Sequence, residues 1–292
     1  MGSMQPGTQT AMAKPPANGQ KGQRMPCVFI NHGGGPMPLL GQQPAIAEFL
    51  KGYAASLPGV PSAILVVTAH WETGSSLKVS GGSHHSLYFD YGGFPKESYE
   101  YRYPAAGSPE LAKQVVALLT DKGIKCCADS SRGWDHGVFV PMMLMFPKAD
   151  IPIVALSLYS SQDAAAHMAA GEALQPLRDQ GVLIVGSGAS FHNFEYFFAR
   201  DAARAEGVNH SRRFDNWLCD TVLSEALAEE ERRSRLASWA SAASAREAHP
   251  RGGAEHLMPL FVVVGAANYH NGRKVNNLAP SEGFAVSEFQ FD

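Results

Sequence analysis

The chain is poor in most of the features that assign a sequence quickly. Only four of its 292 residues are cysteine (Cys27, Cys126, Cys127 and Cys219), and no two stand in C-x-x-C spacing. Such a pattern makes a poor disulfide framework and suits reduced thiols, so a cytoplasmic location is expected, with Cys27 a core residue on a strand. No apolar run approaches the ~20 residues needed to cross a bilayer, and no membrane partner is expected. Charge is sparse and nearly balanced, 17% of residues with a formal net charge of −3, which leaves no basic footprint for nucleic acid. Several catalytic signatures are missing as well. There is no H-E-x-x-H for a zincin, no G-x-S-x-G elbow for a serine hydrolase, and no Walker lysine and hydroxyl for a phosphate loop.

What is present is an ordinary globular composition, 45% hydrophobic, enough for a sizeable core. Residues 1–24 are rich in Gly, Gln, Pro and Ala and lack the apolar stretch of a signal peptide. They are expected to form a disordered tail, opening with Met1-Gly2-Ser3-Met4, which looks like an expression scar. No composition break divides the remainder, so residues 25–292 are read as one domain. Apolar, β-branched runs predict strands at 27–31, 63–69, 76–80, 124–128, 152–158 and 182–187. Helical patterns lie at 43–56, 109–122, 163–179, 208–230 and 257–267, and 226–248 reads as an exposed helix with a solvated charged face. Ser108-Pro109-Glu110 is a strong helix start, and Gly123 a matching stop. Alternating strands and helices indicate an α/β fold. The segments 81–107 and 129–141 read as long loops, which in a compact domain usually carry function.

The positions of certain histidines are the main clue to chemistry. The run Cys27–Asn31 stops at His32, the run 64–69 stops at His70, and the run 182–185 leads through Gly186-Ser187-Gly188 to His192. The carboxyl ends of strands are where open α/β sheets bind ligands. A fourth candidate, His256, opens a late apolar segment. Each has a bland alternative. His32-Gly33-Gly34-Gly35-Pro36 is either a structural turn or a ligand histidine followed by glycines that allow close approach. His70 alone would be a core histidine bonded to a backbone carbonyl; beside His32 and His192 it becomes a candidate ligand, since neutral imidazoles suit Fe, Zn, Cu and Ni. His192 reads as a further ligand or a general base. His136 is either a loop-stabilising residue or a substrate contact, and its neighbour Asp135 need not touch it. Of the remaining histidines, His84, His85, His167, His210, His249 and His270, most are read as surface residues. Tyr88, Tyr91, Phe94, Tyr99, Tyr101 and Tyr103 form an aromatic cluster that is either satellite packing or a lid for a flat aromatic ligand.

Asn31-His32-Gly33-Gly34-Gly35-Pro36, Thr68-Ala69-His70-Trp71-Glu72, Gly92-Gly93-Phe94-Pro95, Tyr103-Pro104, Gly133-Trp134-Asp135-His136-Gly137, Gly186–Asn193 and Glu255-His256-Leu257-Met258-Pro259-Leu260 together resemble the class III extradiol ring-cleavage dioxygenases. The similarity runs from about Cys27 to Gly283 and is nearest to the 4,5-DOPA dioxygenase type. It implies a single-domain three-layer sandwich with a mixed central sheet. It also implies metal ligands His32, His70 and His256, with His192 and His136 as catalytic residues. Substrate contact is expected from Gly34, Phe94, Tyr99 and Ser190. His256 stands where a related branch uses glutamate, so Fe(2+) is the expected metal while Zn(2+) also suits the site. The implied reaction inserts both atoms of O2 into a catechol beside its hydroxyl pair, giving a muconic semialdehyde. A zinc hydrolase on the same histidines and a non-catalytic Memo-like binding protein are the alternatives. A homodimer is a guess from the apolar load alone.

Overall fold

The computed structural model describes residues 23–277 and 282–292, so the expected tail, up to residue 22, lies outside the described residues. The strands are β1 (Cys27–Asn31), β2 (Ala63–Thr73), β3 (Leu77–Ser80), β4 (Cys126–Asp129), β5 (Ile153–Tyr159), β6 (Val182–Gly188), β7 (Arg273–Asn277) and β8 (Ser287–Phe291). They form a single sheet in the order β4-β3-β5-β2-β6-β1-β8-β7. The centre, β5-β2-β6-β1, is parallel. β3 runs antiparallel to β5, and the β7–β8 hairpin adds antiparallel to β1, so the sheet is mixed as expected.

Alternate residues of the central strands face opposite cores, which is why these runs are apolar throughout. Val28, Ile30, Ile64, Val66, Leu183 and Val185 pack against α1 (Pro44–Tyr53) and α3 (His136–Met145), while α2 (Pro109–Asp121) lies on the opposite face. Cys27, Phe29, Leu65, Val67 and Ile184 face α2 together with α4 (Ala164–Leu174). The same face carries α6 (Asp201–Val222), which follows the short α5 (Phe194–Phe197). After α7 (Glu229–Ala237) and α8 (Ala245–Ala248), α9 (Met258–Ala266) completes that layer. The α4–α9 contact is close enough to require glycine on both helices. A Cβ on Gly171 would lie 2.0 Å from the Val262 carbonyl, and one on Gly265 would lie 2.1 Å from that of Met168.

The helix start at Ser108 is as expected: its hydroxyl accepts from Leu111 N at 3.2 Å, with Pro109 in the first turn. Other boundaries are corrected. The helix placed at 208–230 begins at Asp201. The exposed helix at 226–248 is instead α7, a short 3-10 turn (Trp239–Ser241) and α8. Its charges are not all solvated. Arg232 is buried and donates to the carbonyls of Thr221, Ser224 and Tyr269, stitching α7 to its neighbours. Part of the 129–141 loop is the start of α3, a helix buried on every side and interrupted by Pro141, so no 3.6-residue period marks it.

Two histidines read as surface residues are also corrected. His249 is buried and donates from Nε2 to the Ser190 carbonyl at 2.9 Å. His167 is buried beneath β5, with Nδ1 on the Asp163 carbonyl (2.6 Å) and Nε2 accepting from Tyr159 N (3.1 Å). Burial lowers the His167 pKa from 6.5 to about 4. Below pH 6.5 the unfolded chain takes up a proton that the folded chain refuses, so stability is complete above that pH and is lost towards pH 4. Urea titrations should show His167→Gln losing unfolding free energy less steeply over this range, by up to ~1.4 kcal/mol per pH unit. Equal slopes in the two proteins would contradict the assignment.

Candidate metal centre and active site

The site forms where β1, β2 and β6 end. β1 delivers His32, and the chain then turns sharply through Gly33, whose φ of +83° suits glycine. A Cβ at Gly33 would also lie 2.5 Å from Gln43 Oε1, the atom that accepts from Gly34 N at 2.9 Å. The glycine run is therefore both a tight turn and the support of a site histidine.

His70 does not end its strand, since β2 continues to Thr73. Instead the register with β5 breaks between Val67 and Glu72, which turns His70 out of the ladder. Its backbone N donates to Thr68 Oγ1 (3.2 Å), and its carbonyl accepts from the Arg132 guanidinium (2.9 Å). Buried Asp135 accepts from both Thr68 Oγ1 (2.7 Å) and Arg132 (3.2 Å), tying that strand to the start of α3.

His256 precedes α9 and reaches the cluster because β6 ends in Gly186-Ser187-Gly188. A Cβ on Gly188 would sit 2.1 Å from the His256 carbonyl, which accepts from Ala189 N at 2.9 Å. One ring nitrogen from each of His32, His70 and His256 lies within 4.8 Å of the others.

The tautomers of this group suit a cation. The Ser187 hydroxyl donates its one proton to the Gly137 carbonyl, so it must accept from His32 Nδ1–H at 2.9 Å. His32 Nε2 then carries the lone pair. His256 Nδ1 is turned to Glu255 Oε1 at 2.8 Å, and His70 Nδ1 faces Asp90 Oδ2 at 3.6 Å. Nε2 is left as the atom that could hold a metal on all three rings. The Nε2 atoms of His32 and His70 are 3.1 Å apart, an edge that two nitrogens about 2.1 Å from a shared ion can span. Burial, reinforced by the neighbouring imidazoles, holds His32 and His256 well below the ordinary histidine range and lowers His70 to about 3. The rings are therefore neutral, the ligating form.

His192 and His136 flank this group. His192 stacks on His256 with centroids 3.5 Å apart and planes 13° from parallel, and its Nδ1 lies 3.7 Å from Glu255 Oε1. Burial, with a smaller effect of His136, lowers its pKa to about 4. The partner of His136 is Asp90, not the adjacent Asp135. One Asp90 oxygen accepts from both the His136 ring (2.8 Å) and its backbone N (3.0 Å).

A cavity of about 510 Å³ opens over these residues. Of the four residues expected to contact substrate, Gly34 and Phe94 line it, and Tyr99 and Ser190 do not. Tyr99 packs behind the wall against Tyr91, its hydroxyl accepting from Phe94 N at 3.4 Å. Ser190 is buried, and its hydroxyl accepts from Ser287 N at 2.9 Å, which commits it to β8. Lining residues that sequence reasoning passed over include Asp90, Glu255, Met37 and the phenylalanines of the α5 region. Only the placement of Asp90 within the aromatic loop and of Glu255 beside His256 hinted at the two carboxylates.

The family of catalytic LigB subunits of aromatic ring-opening dioxygenases matches residues 30–291. The chain belongs to the LigB family. Its relatives include a dioxygenase, tasH, of Hapsidospora irregularis, 38% identical over 270 residues that cover 86% of this chain and 80% of that protein. The 4,5-DOPA dioxygenase extradiol of Beta vulgaris is 38% identical over 244 residues, covering 82% and 85% respectively. A crystal structure of an uncharacterized Escherichia coli K12 protein superposes with a TM-score of 0.71 at 26% identity, covering 92% of this chain and all of that one. Like other members of the family, this protein is an extradiol ring-cleavage dioxygenase.

In this LigB-family enzyme Ser187 selects the His32 tautomer without touching the ligating nitrogen. Ser187→Ala should therefore weaken metal binding by the ~10–100-fold typical of lost outer-shell partners, measured by chelator competition. Unaltered affinity would show that His32 orients itself without it.

Proposed function

We propose that residues 25–292 form a non-haem Fe(II)-dependent extradiol dioxygenase acting on a small catechol and O2, working in the cytoplasm, where its four free cysteines suit a reducing milieu. The observation that carries this reading is the set of three neutral imidazoles, each with Nδ1 engaged or turned to an acceptor, converging beneath a cavity walled by aromatic rings. His32, His70 and His256 would hold the metal, which supplies Lewis acidity towards a catechol hydroxyl and a redox centre for O2.

The protein's own residues account for the proton traffic. His192, neutral and on the cavity wall, takes a proton from the catechol hydroxyl and later returns it to an oxygen of the opening ring. Glu255, facing Nδ1 of both His192 and His256, keeps the two rings stacked and stabilises the imidazolium formed in that step. His136, whose Nδ1–H is spent on Asp90, is left with Nε2 as an acceptor, which holds a catechol hydroxyl by accepting its proton in a hydrogen bond. Gly34 admits the ring edge, and Phe94 with Tyr91 confines its face. Both atoms of O2 end in a muconic semialdehyde.

The all-imidazole donor set also favours a second reading, a Zn(II) hydrolase in which His192 takes the proton of an attacking water. Anaerobic loading with Fe(II) followed by O2 uptake on a catechol panel separates the two. Uptake matched to a coloured ring-opened product is expected. Turnover only with zinc, and without O2 consumption, would overturn the dioxygenase. In the same assay His192→Ala should keep its metal while turnover falls ~10²–10⁴-fold. His256→Ala should lose the metal itself, and full occupancy there would contradict its assignment as a ligand.

A further inference from the structure

The cavity is strongly polarised between its ends. At the histidine end His136 and His256 are 7% and 5% exposed, whereas at the mouth Phe194 and Phe198 are 58% and 79% exposed. These are two of the few large hydrophobic side chains left exposed among the described residues. They are stacked on each other, with ring centroids 5.7 Å apart and planes at 18°, and Phe194 packs edge-on against His192 at 4.6 Å. Exposed rings at the mouth of a pocket mark a surface that a ligand covers. Met37, Phe94 and Phe197 continue the apolar wall.

The charged side chains lining this cavity are both carboxylates, Asp90 and Glu255, and no lysine or arginine lines it among the described residues. The nearby guanidinium of Arg132 is committed to Asp135 and the His70 carbonyl and lies between Trp71 and Tyr88. Each lining carboxylate spends one oxygen on an imidazole, Asp90 Oδ1 on that of His136 and Glu255 Oε1 on that of His256, which ties both to the histidine end of the cavity.

Resting on the ring-cleavage reading, we propose that the preferred substrates are catechols carrying an uncharged apolar substituent, alkyl or aryl, and that Phe194 and Phe198 are the specificity-determining residues. The catechol oxygens belong at the histidine end, so a ring substituent extends towards the phenylalanine mouth. An apolar group there covers both rings. A carboxylate at that mouth would lose water against aromatic rings, with no lysine or arginine among the described residues lining the cavity to pair it.

The test compares 4-phenylcatechol, 4-ethylcatechol, catechol, dopamine, protocatechuate and L-DOPA on the Fe(II)-loaded enzyme, with dissociation constants measured anaerobically by calorimetry. The expected order of kcat/KM and of affinity puts 4-phenylcatechol and 4-ethylcatechol above catechol, and both carboxylated compounds below it. Phe194→Ala and Phe198→Ala should each lower the 4-phenylcatechol-to-catechol ratio by ~10-fold or more. Phe198→Arg should shift preference towards protocatechuate. Preference for a carboxylated catechol, or for dopamine over 4-ethylcatechol, overturns the proposal, as does an unchanged ratio in both alanine variants. If no catechol is turned over, ring cleavage fails, and the anaerobic affinities alone decide the pocket: phenyl above carboxylate supports it, and the reverse order sinks it.

Discussion

The three-residue end of β6, Gly186-Ser187-Gly188, is the constraint on which the site depends. The missing side chain at Gly188 lets the His256 carbonyl approach to where a Cβ would collide. Gly186 does the same for the first turn of α9, where a Cβ would lie 2.7 Å from the Pro259 carbonyl. Between them Ser187 joins His32 to the Gly137 carbonyl at the start of α3. A single central strand thus sets the position of one candidate ligand, the tautomer of a second and the seat of the helix that carries His136. Being buried and paired on both sides by β1 and β2, it has little freedom to relax.

The second level of organisation is electrostatic. Five imidazoles share one buried volume, which would be untenable if several were charged. The fold meets this with two carboxylates, each serving a pair of rings: Asp90 faces His136 and His70, and Glu255 faces His256 and His192. Burial, the largest single effect, pushes Asp90 up, yet the two hydrogen bonds from His136 and the charge interactions with His136 and His70 together outweigh it and leave this carboxyl below its ordinary range. Glu255 is raised by burial. The pairing matches two of the three candidate ligands, His70 and His256, with a neighbouring acid–base candidate through a common anchor, so a change in the charge of one ring is felt by its partner without any backbone movement.

The sequence disclosed the skeleton of this arrangement better than its supports. Strands β1, β5 and β6 were legible because continuous β-branched runs between turn residues leave few alternatives. The register break that exposes His70 was not, because a bulge is a property of pairing and leaves no mark on one strand read alone. α3 and α9 show the complementary effect: a helix buried on every side has no amphipathic period, and α9 was found only because its apolar run is long enough. β7 and β8 escaped notice because Arg273–Asn277 is polar and Ser287–Phe291 carries Glu288 and Gln290 inward. His167 and His249 were misplaced for a related reason. Each bonds its ring to the backbone, His167 to the Asp163 carbonyl and the Tyr159 amide and His249 to the Ser190 carbonyl, and polar flanking residues disguise the burial.

The division of labour between strands and loops follows from the same physics. The candidate ligands are mounted just after β1, at the register break within β2 and at the turn into α9, where packing on both faces fixes the backbone. The walls come from segments with fewer constraints: the glycine turn after β1, the aromatic loop after β3, and the short α5 after His192. Substitution there alters what the cavity accepts while leaving the buried hydrogen bonds of the floor intact, which is how a family with one chemistry can serve many ring substituents. The carboxylates are the exception to this separation. Asp90 lies on the aromatic loop yet anchors His136 and faces His70, so the loop that shapes the pocket is also tied to its chemistry. Variation in this wall is therefore constrained at Asp90 and freer at the mouth, above all at exposed Phe198, while Phe194 still packs against the ring of His192.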